Sequence, residues 1–96
     1  MHELTIAPKA REDLLQIGRY TQQTWGVTQR LRYLDTIDTA FRAIANNPTL
    51  GQNRSALRPN LLSWPCQSHL IFFRVGNGKI EILRILQQRM DFSGQF

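Results

Sequence analysis

Three side chains in this sequence could transfer a proton or act as a nucleophile near neutral pH: His2, Cys66 and His69. His69 begins an alternating segment with no second titrating group near it, so we expect a polar residue at the start of a strand. Cys66 lacks a neighbouring histidine or aspartate that would activate it, so we expect it to pack as a small residue. One cysteine excludes an internal disulfide, and with two histidines it leaves too few ligands for a typical zinc site. The residues indicate no catalytic centre, no metal and no cofactor.

The charge of the chain is strongly positive. Twelve Lys and Arg residues stand against seven Asp and Glu, which gives a formal net charge of +5 at pH 7, and ten of the twelve cations are arginine. Arginine presents a planar fork that suits carboxylates and phosphates, whereas lysine is a strongly hydrated point charge. We therefore expect an acidic partner, either nucleic acid or an acidic protein surface.

Length and composition are those of one small globular unit. With 96 residues, 42% of them hydrophobic and 20% charged, we expect a single domain spanning residues 1–96. A chain of this length buries about 60–65% of its unfolded surface, so its stability should be modest. No run approaches the ~18 apolar residues of a membrane span, and the first residues do not resemble a signal peptide. We expect a cytoplasmic protein.

The N-terminal half has the spacing of a strand followed by two helices. Residues 3–6 alternate polar and apolar side chains and predict a short strand. A stripe at spacings of three and four, formed by Ala10, Leu14, Ile17 and Thr21, predicts a first helix that begins near Pro8 and ends at Trp25-Gly26. A second stripe predicts another helix from about residue 27 to the Asn-Asn-Pro sequence at 46–48. Because one or two residues separate the helices, we predict an antiparallel hairpin.

The C-terminal half is predicted to form a loop and three strands. Residues 48–60 are rich in Pro, Gly and Asn and indicate a loop. A short strand over 61–64 is followed by Pro65, which suggests a sheet edge or a break. Strands over 69–75 and 79–86 flank a Gly-Asn-Gly turn, a strong hairpin signal.

The predicted hairpin is apolar on both faces. A two-residue loop at Asn77-Gly78 gives the cross-strand pairs Val75–Ile80, Arg74–Glu81, Phe73–Ile82, Phe72–Leu83 and Ile71–Arg84. The helical hairpin can cover one face. We therefore expect either the C-terminal segment to fold over the other face or a separate chain to bind there.

Several arginines flank this second face, which makes them candidates for partner contact, with a scattered solvated surface as the alternative for each. The candidates are Arg54, Arg58, Arg84 and Arg89. Arg74 differs because it faces Glu81 in the predicted register, as an exposed pair worth only about 0–1 kcal/mol. Arg84 interrupts an apolar strand, so it should either meet a carboxylate or lie at a recognition surface.

The order strand, helix, helix, three strands accompanies a set of motifs spread over nearly the whole chain. They are Ala10-x-x-Asp13-Leu14-x-x-Ile17-x-x-Tyr20, Trp25-Gly26, Ile44-Ala45-Asn46-Asn47-Pro48-x-x-Gly51, His69-Leu70-Ile71-Phe72-Phe73-Arg74 and Ile80-Glu81-Ile82-Leu83-Arg84-Ile85-Leu86-Gln87-Gln88-Arg89-Met90-Asp91. Together they resemble the ParE toxins of the RelE/ParE superfamily, the toxic components of type II toxin–antitoxin pairs. The resemblance implies a RelE/ParE-like α+β fold: an N-terminal strand, an antiparallel two-helix hairpin, and a mainly antiparallel three-strand meander that completes the sheet.

The resemblance also implies a function. ParE toxins poison DNA gyrase, arrest growth, and are neutralised by a ParD-like antitoxin whose acidic, flexible C-terminal segment wraps the toxin. For this chain it implies gyrase as target and a ParD-like antitoxin as the partner in a hetero-oligomer. It also implies that DNA is contacted only through gyrase or the antitoxin, and that no membrane is involved. A basic surface and an uncovered apolar face suit such a partner.

The alternative within the superfamily is a RelE-type, ribosome-dependent messenger RNA endonuclease. Such enzymes resemble this chain in fold but use basic residues with a C-terminal tyrosine or a His–Tyr pair, and Arg89 occupies the place of one such arginine. Residues 91–96 contain no tyrosine, and Gln87 replaces a histidine common in ParE toxins, so no acid or base that titrates near neutrality remains there. A third possibility is a non-toxic binding module that acts only in DNA-bound autoregulation.

Overall fold

The computed structural model of the chain describes residues 2–96, which form two helices and a five-stranded sheet. The helices are α1 (Pro8–Trp25) and α2 (Val27–Asn46). The strands are β1 (Glu3–Ile6), β2 (Gln52–Asn53), β3 (Leu62–Cys66), β4 (His69–Gly76) and β5 (Lys79–Gln87). The predicted α+β order is confirmed. The segment predicted as a loop also contains a 3-10 turn at Pro48–Leu50 and the two-residue strand β2.

The two helices form the predicted hairpin around one glycine. Pro8 is the first residue of α1, where its missing N–H would have no intrahelical partner. Gly26 separates the helices and adopts φ 94°, a left-handed conformation that other residues rarely take. Its N–H donates to the carbonyl of Gln22, and its own carbonyl accepts from the N–H of Arg30. This tight turn folds α2 back along α1.

The sheet has the strand order β1-β5-β4-β3-β2. β1 pairs parallel with β5, with Leu4 opposite Ile80, and the other neighbours are antiparallel. The helical hairpin therefore carries the chain from one edge of the sheet to the other. β3 extends past Pro65, but β2 pairs only with Leu62 and Ser63, so the proline lies where the outer side of β3 has no strand beside it.

The predicted register of the β4–β5 hairpin is correct near the turn and wrong beyond it. Pairing follows the prediction through Phe73 opposite Ile82, after which an irregularity places Phe72 opposite Arg84 and Ile71 opposite Ile85. The predicted Phe72–Leu83 and Ile71–Arg84 pairs do not form. One extra residue in β5 keeps Ile85 on the same face as Ile71. Without this bulge, Arg84 would occupy an apolar position beneath the helices.

The main core lies between the helices and one face of the sheet. Alternate residues of β4 and β5 pack there against the inner stripes of α1 and α2. Its fully buried members include Ala10, Ile37, Ile44, Phe73 and Ile82, each 0–1% exposed. This layer packs α1 over β5, which sets the position of the charged residues described below.

The opposite face of the sheet, termed here the rear face, carries a second apolar cluster. Its members are Leu61, Leu70, Phe72, Leu83 and Leu86. Both faces of the hairpin are thus apolar, as predicted, but the rear face is not left open. Leu57 packs on it together with Phe92 and Phe96 of the C-terminal tail, defined here as residues 91–96. The sequence leaves open whether the C-terminal segment or a separate chain covers this face, and in the structure the C-terminal tail covers it.

Within the described range, neither helix is both long and apolar enough to cross a membrane.

Candidate partner-binding surfaces

A buried ion pair joins α1 to the β5 bulge. Arg84 donates from Nε to Asp13 Oδ2 at 2.9 Å and from Nη2 to Asp13 Oδ1 at 3.0 Å, and the Ile85 N–H donates to Asp13 Oδ2 at 2.9 Å. The two side chains are 16% and 10% exposed. The hydrogen bond to Asp13 is the main reason that the pKa of Arg84 is raised. Of the two roles left open for Arg84, pairing with a carboxylate is observed.

From the sequence, Asp13 is named only as part of the first motif and is given no partner. A signal for its real role is nevertheless present, because Ala10, Asp13 and Ile17 follow one another at spacings of three and four on the buried side of the helix. A carboxylate on an apolar stripe needs a cation from elsewhere in the fold. Arg84, which interrupts a run of apolar residues in β5, is the natural candidate for that cation.

A groove of about 540 Å³ opens beside this pair, between the helices and the end of β5. Its inner wall includes Ile85, Leu86 and Gln87. On its outer rim, Tyr20 is 63% exposed and Trp25 is 71% exposed. Large aromatic side chains at this exposure provide a surface on which a partner can bury apolar area.

His69 sits in the same groove, bound to the hydroxyl of Tyr33. Tyr33 Oη lies 2.5 Å from His69 Nδ1 and 3.3 Å from the hydroxyl of Ser68. Burial lowers the pKa of His69, an effect that the charge of Asp13 partly opposes, and burial also raises the pKa of Tyr33. The neutral forms of both groups are favoured, so this contact works as a structural hydrogen bond between α2 and β4. Sequence reasoning did not pair these two residues.

The candidate arginines are only partly brought together. Arg58 and Arg84 line one cavity of about 290 Å³, with Lys9 and residues Gln95 and Phe96 of the tail around it. Arg54 lies one turn before Arg58, and the Arg58 N–H donates to the Arg54 carbonyl. The Nε of Arg54 donates to the buried Ser63 hydroxyl at 2.9 Å.

Arg89 is separate from that group. It follows β5 as an exposed side chain and lines neither cavity.

The predicted cross-strand pair of Arg74 and Glu81 is confirmed, with Arg74 Nε 2.8 Å from Glu81 Oε1. Cys66 is buried, and burial raises its pKa, which matches the expected packing role. Residues 2–96 contain no group of three or more His, Cys, Asp and Glu side chains placed to hold a metal ion.

Known proteins of one family resemble this chain over nearly its whole length. The sequence model described as "ParE toxin of type II toxin-antitoxin system, parDE" matches residues 4–92. Toxin ParE1 of Mycobacterium tuberculosis is 37% identical over 87 residues, covering 90% of this chain and 89% of the relative. Toxin ParE1 of Caulobacter vibrioides is 34% identical over 91 residues, covering 95% and 94%.

Two solved structures share the fold. A chain of the chromosomal ParDE toxin–antitoxin system of P. aeruginosa superposes with a TM-score of 0.79 at 24% identity, covering 91% of this chain and 96% of that one. A chain of the YoeB–YefM complex of Staphylococcus aureus gives 0.62 at 20% identity, covering 92% and 98%. These values establish the RelE/ParE-like architecture expected from the sequence. The family match and the two curated relatives also establish the family: the chain belongs to the ParE toxins of type II toxin–antitoxin systems.

Proposed function

We propose that this chain is a cytoplasmic toxin that inhibits DNA gyrase, arrests growth, and is held inactive by a ParD-like antitoxin. Residues 1–96 act as one toxin domain. The observation that carries the proposal is the match to the ParE family over residues 4–92, together with curated ParE relatives that align over about nine-tenths of both chains.

The charge distribution supports an acidic antitoxin as the partner. Arg58 and Lys9 border a cavity at the edge of the rear face, and Arg89 extends from the end of β5. With a net charge of +5, the chain attracts an acidic polypeptide over distances comparable to the Debye length. We propose Arg54, Arg58 and Arg89 as direct contacts. Arg84 contributes through Nη1, which points away from Asp13 toward the tail.

The contacts of His69 support binding rather than catalysis. General acid–base chemistry needs a second titrating group beside the histidine, whereas His69 is hydrogen-bonded through Nδ1 to the Tyr33 hydroxyl and lies opposite the neutral Gln87 in the sheet. The tail supplies no tyrosine or histidine. A RelE-type endonuclease would need such groups, so gyrase inhibition by binding is the function we favour.

Controlled expression in bacteria tests the proposal. We expect induction of the chain alone to stop growth and to relax a reporter plasmid, and co-expression of the protein from the neighbouring reading frame to restore both. Normal growth on induction, with the chain present in the soluble fraction, would favour the non-toxic binding module. Growth arrest with normally supercoiled plasmid and cleaved messenger RNA would favour the endonuclease.

A further inference from the structure

The rear face is a well-formed apolar surface. Leu61, Leu70, Phe72, Leu83 and Leu86 are each less than 10% exposed, and Phe72 at the centre is fully buried. Strands β4 and β5 supply four of these five residues, and Leu83 is the extra residue of the β5 bulge. The backbone of this surface therefore belongs to the sheet, which the helices support from the other side, and not to its cover.

The cover, in contrast, is irregular and weakly attached. The rings of Phe92 and Phe96 lie 5.1 and 5.0 Å from that of Phe72. Within residues 2–96, one hydrogen bond joins the tail to the rest of the chain, from Arg84 Nη1 to Gln95 Oε1 at 2.9 Å. The tail contains neither helix nor strand. Segments held by few contacts open at low free-energy cost compared with strands of the core.

A cavity at the edge of the tail is lined by cationic side chains. The cavity of about 290 Å³ lies between the tail and the turn that leads into α1, and Lys9, Arg58 and Arg84 line it with Leu83 and Phe96. A replacement for the tail that carried carboxylates beside its apolar side chains would gain three cationic neighbours. The tail offers Arg84 only the neutral amide of Gln95.

We propose that the tail is a displaceable cover, and that an acidic segment of the antitoxin bearing apolar side chains replaces it on the rear face. This inference rests on the proposed function, since it assigns a place to that antitoxin. Phe92 and Phe96 then compete with the antitoxin for Phe72. The apparent affinity of the antitoxin is reduced by the fraction of molecules whose tail is closed.

Two substitutions in the full chain move this competition in opposite directions. Phe96→Ser weakens the cover, and we expect it to raise antitoxin affinity by about tenfold because more molecules present an open rear face. Gln95→Glu places a carboxylate against Arg84 Nη1, a stronger charge-assisted bond, and we expect affinity to fall by about threefold or more. Gln23→Glu makes the same charge change on exposed α1 and serves as the matched control.

The measurement is isothermal titration of each variant with the antitoxin that restores growth in the co-expression experiment. Opposite shifts for Phe96→Ser and Gln95→Glu, with Gln23→Glu near wild type, support the inference. Equal affinities for all three, or a loss of affinity in Phe96→Ser with its fold retained, would overturn it. If Phe96→Ser does not fold, the affinities of Gln95→Glu and Gln23→Glu are compared instead. A lower affinity of Gln95→Glu supports the inference, and equal affinities overturn it. Failure of the wild-type chain to bind at all would instead count against the proposed function.

Chymotrypsin provides a second readout, because displacement exposes the bond after Phe92. We expect the peptide Ser93–Phe96 to be released faster from the complex than from the free chain. Binding elsewhere leaves the rate unchanged, and binding over the tail slows it. Either of those results contradicts displacement.

Discussion

Asp13 of α1 and Arg84 of β5 lie 71 positions apart in the sequence, yet they form a two-point ion pair buried beside the β5 bulge. The same carboxylate accepts the backbone N–H of Ile85, so a single side chain satisfies both the guanidinium and the strand. The pair fixes α1 on the sheet. It also holds Arg84 where its remaining nitrogen meets the tail.

Removal of Arg84 should strongly destabilise the fold. Arg84→Ala leaves the Asp13 carboxylate buried with one hydrogen-bond donor, and breaking a buried pair in this way costs about 3–5 kcal/mol. Urea unfolding followed by tryptophan fluorescence measures the loss. The control is Arg74→Ala. Arg74 and Glu81 form an ion pair whose side chains are 51% and 36% exposed, so this substitution should lower the free energy of unfolding by about 0–1 kcal/mol. Equal losses in the two variants would show that the buried pair is not the anchor described here.

The same pair marks the limit of prediction from sequence. The helices follow from local signals, namely Pro8, Gly26 and the apolar stripes, and the register near the turn follows from Asn77-Gly78. The bulge does not follow from local signals, because it depends on the ion pair between Arg84 and the carboxylate of Asp13 on α1. A cross-strand count that assumes regular pairing therefore fails beyond Phe73.

Acid should weaken the fold partly through His69. Burial holds the folded pKa of His69 below its ordinary value of 6.5, so between those two values the unfolded chain binds more protons and stability falls as the pH falls. We expect His69→Gln to lose less stability than the wild type between pH 7 and pH 5. Thermal unfolding at several pH values measures this difference. A wild type that gains stability relative to His69→Gln in acid would have the opposite sign and would refute it.

Gly51 is required by close packing rather than by backbone conformation. A Cβ at this position would lie 2.7 Å from Phe73 Cζ and 2.9 Å from Leu62 Cβ, and its φ of −65° suits any residue. We expect Gly51→Ala to destabilise the chain by about 1–3 kcal/mol through overpacking. Gly76→Ala, where a Cβ would meet nothing within 4 Å, should change stability by about 0.5 kcal/mol or less. Calorimetric unfolding of the two variants compares them directly.

Charge reversal at the proposed contact arginines should slow antitoxin association. Arg58 and Arg89 are exposed, so Arg58→Glu and Arg89→Glu should lower the association rate by about three- to tenfold, with a larger effect at low salt. Arg19→Glu, an exposed change on α1, controls for net charge. Surface plasmon resonance at two ionic strengths gives the rates. If all three variants slow equally, the effect comes from overall charge and the assigned contacts are wrong.

The cover of the rear face shows a second limit of sequence reasoning. The alternation of apolar residues in β4 and β5 reveals that both faces need cover, but Phe92 and Phe96 lie in a segment without periodicity. Their docking depends on the ring of Phe72 and on Arg84, which only the folded sheet brings together. The sequence therefore predicts the surface and leaves its occupant open.

Inhibition of purified DNA gyrase tests the proposed function most directly. The assay follows ATP-dependent supercoiling of a relaxed plasmid by active gyrase, with increasing amounts of the chain shown to be folded by circular dichroism. We predict a dose-dependent loss of supercoiled product and the appearance of linear plasmid after protein denaturation, both prevented when antitoxin is mixed with the chain first. Complete supercoiling at every concentration of the folded chain would contradict gyrase as its target.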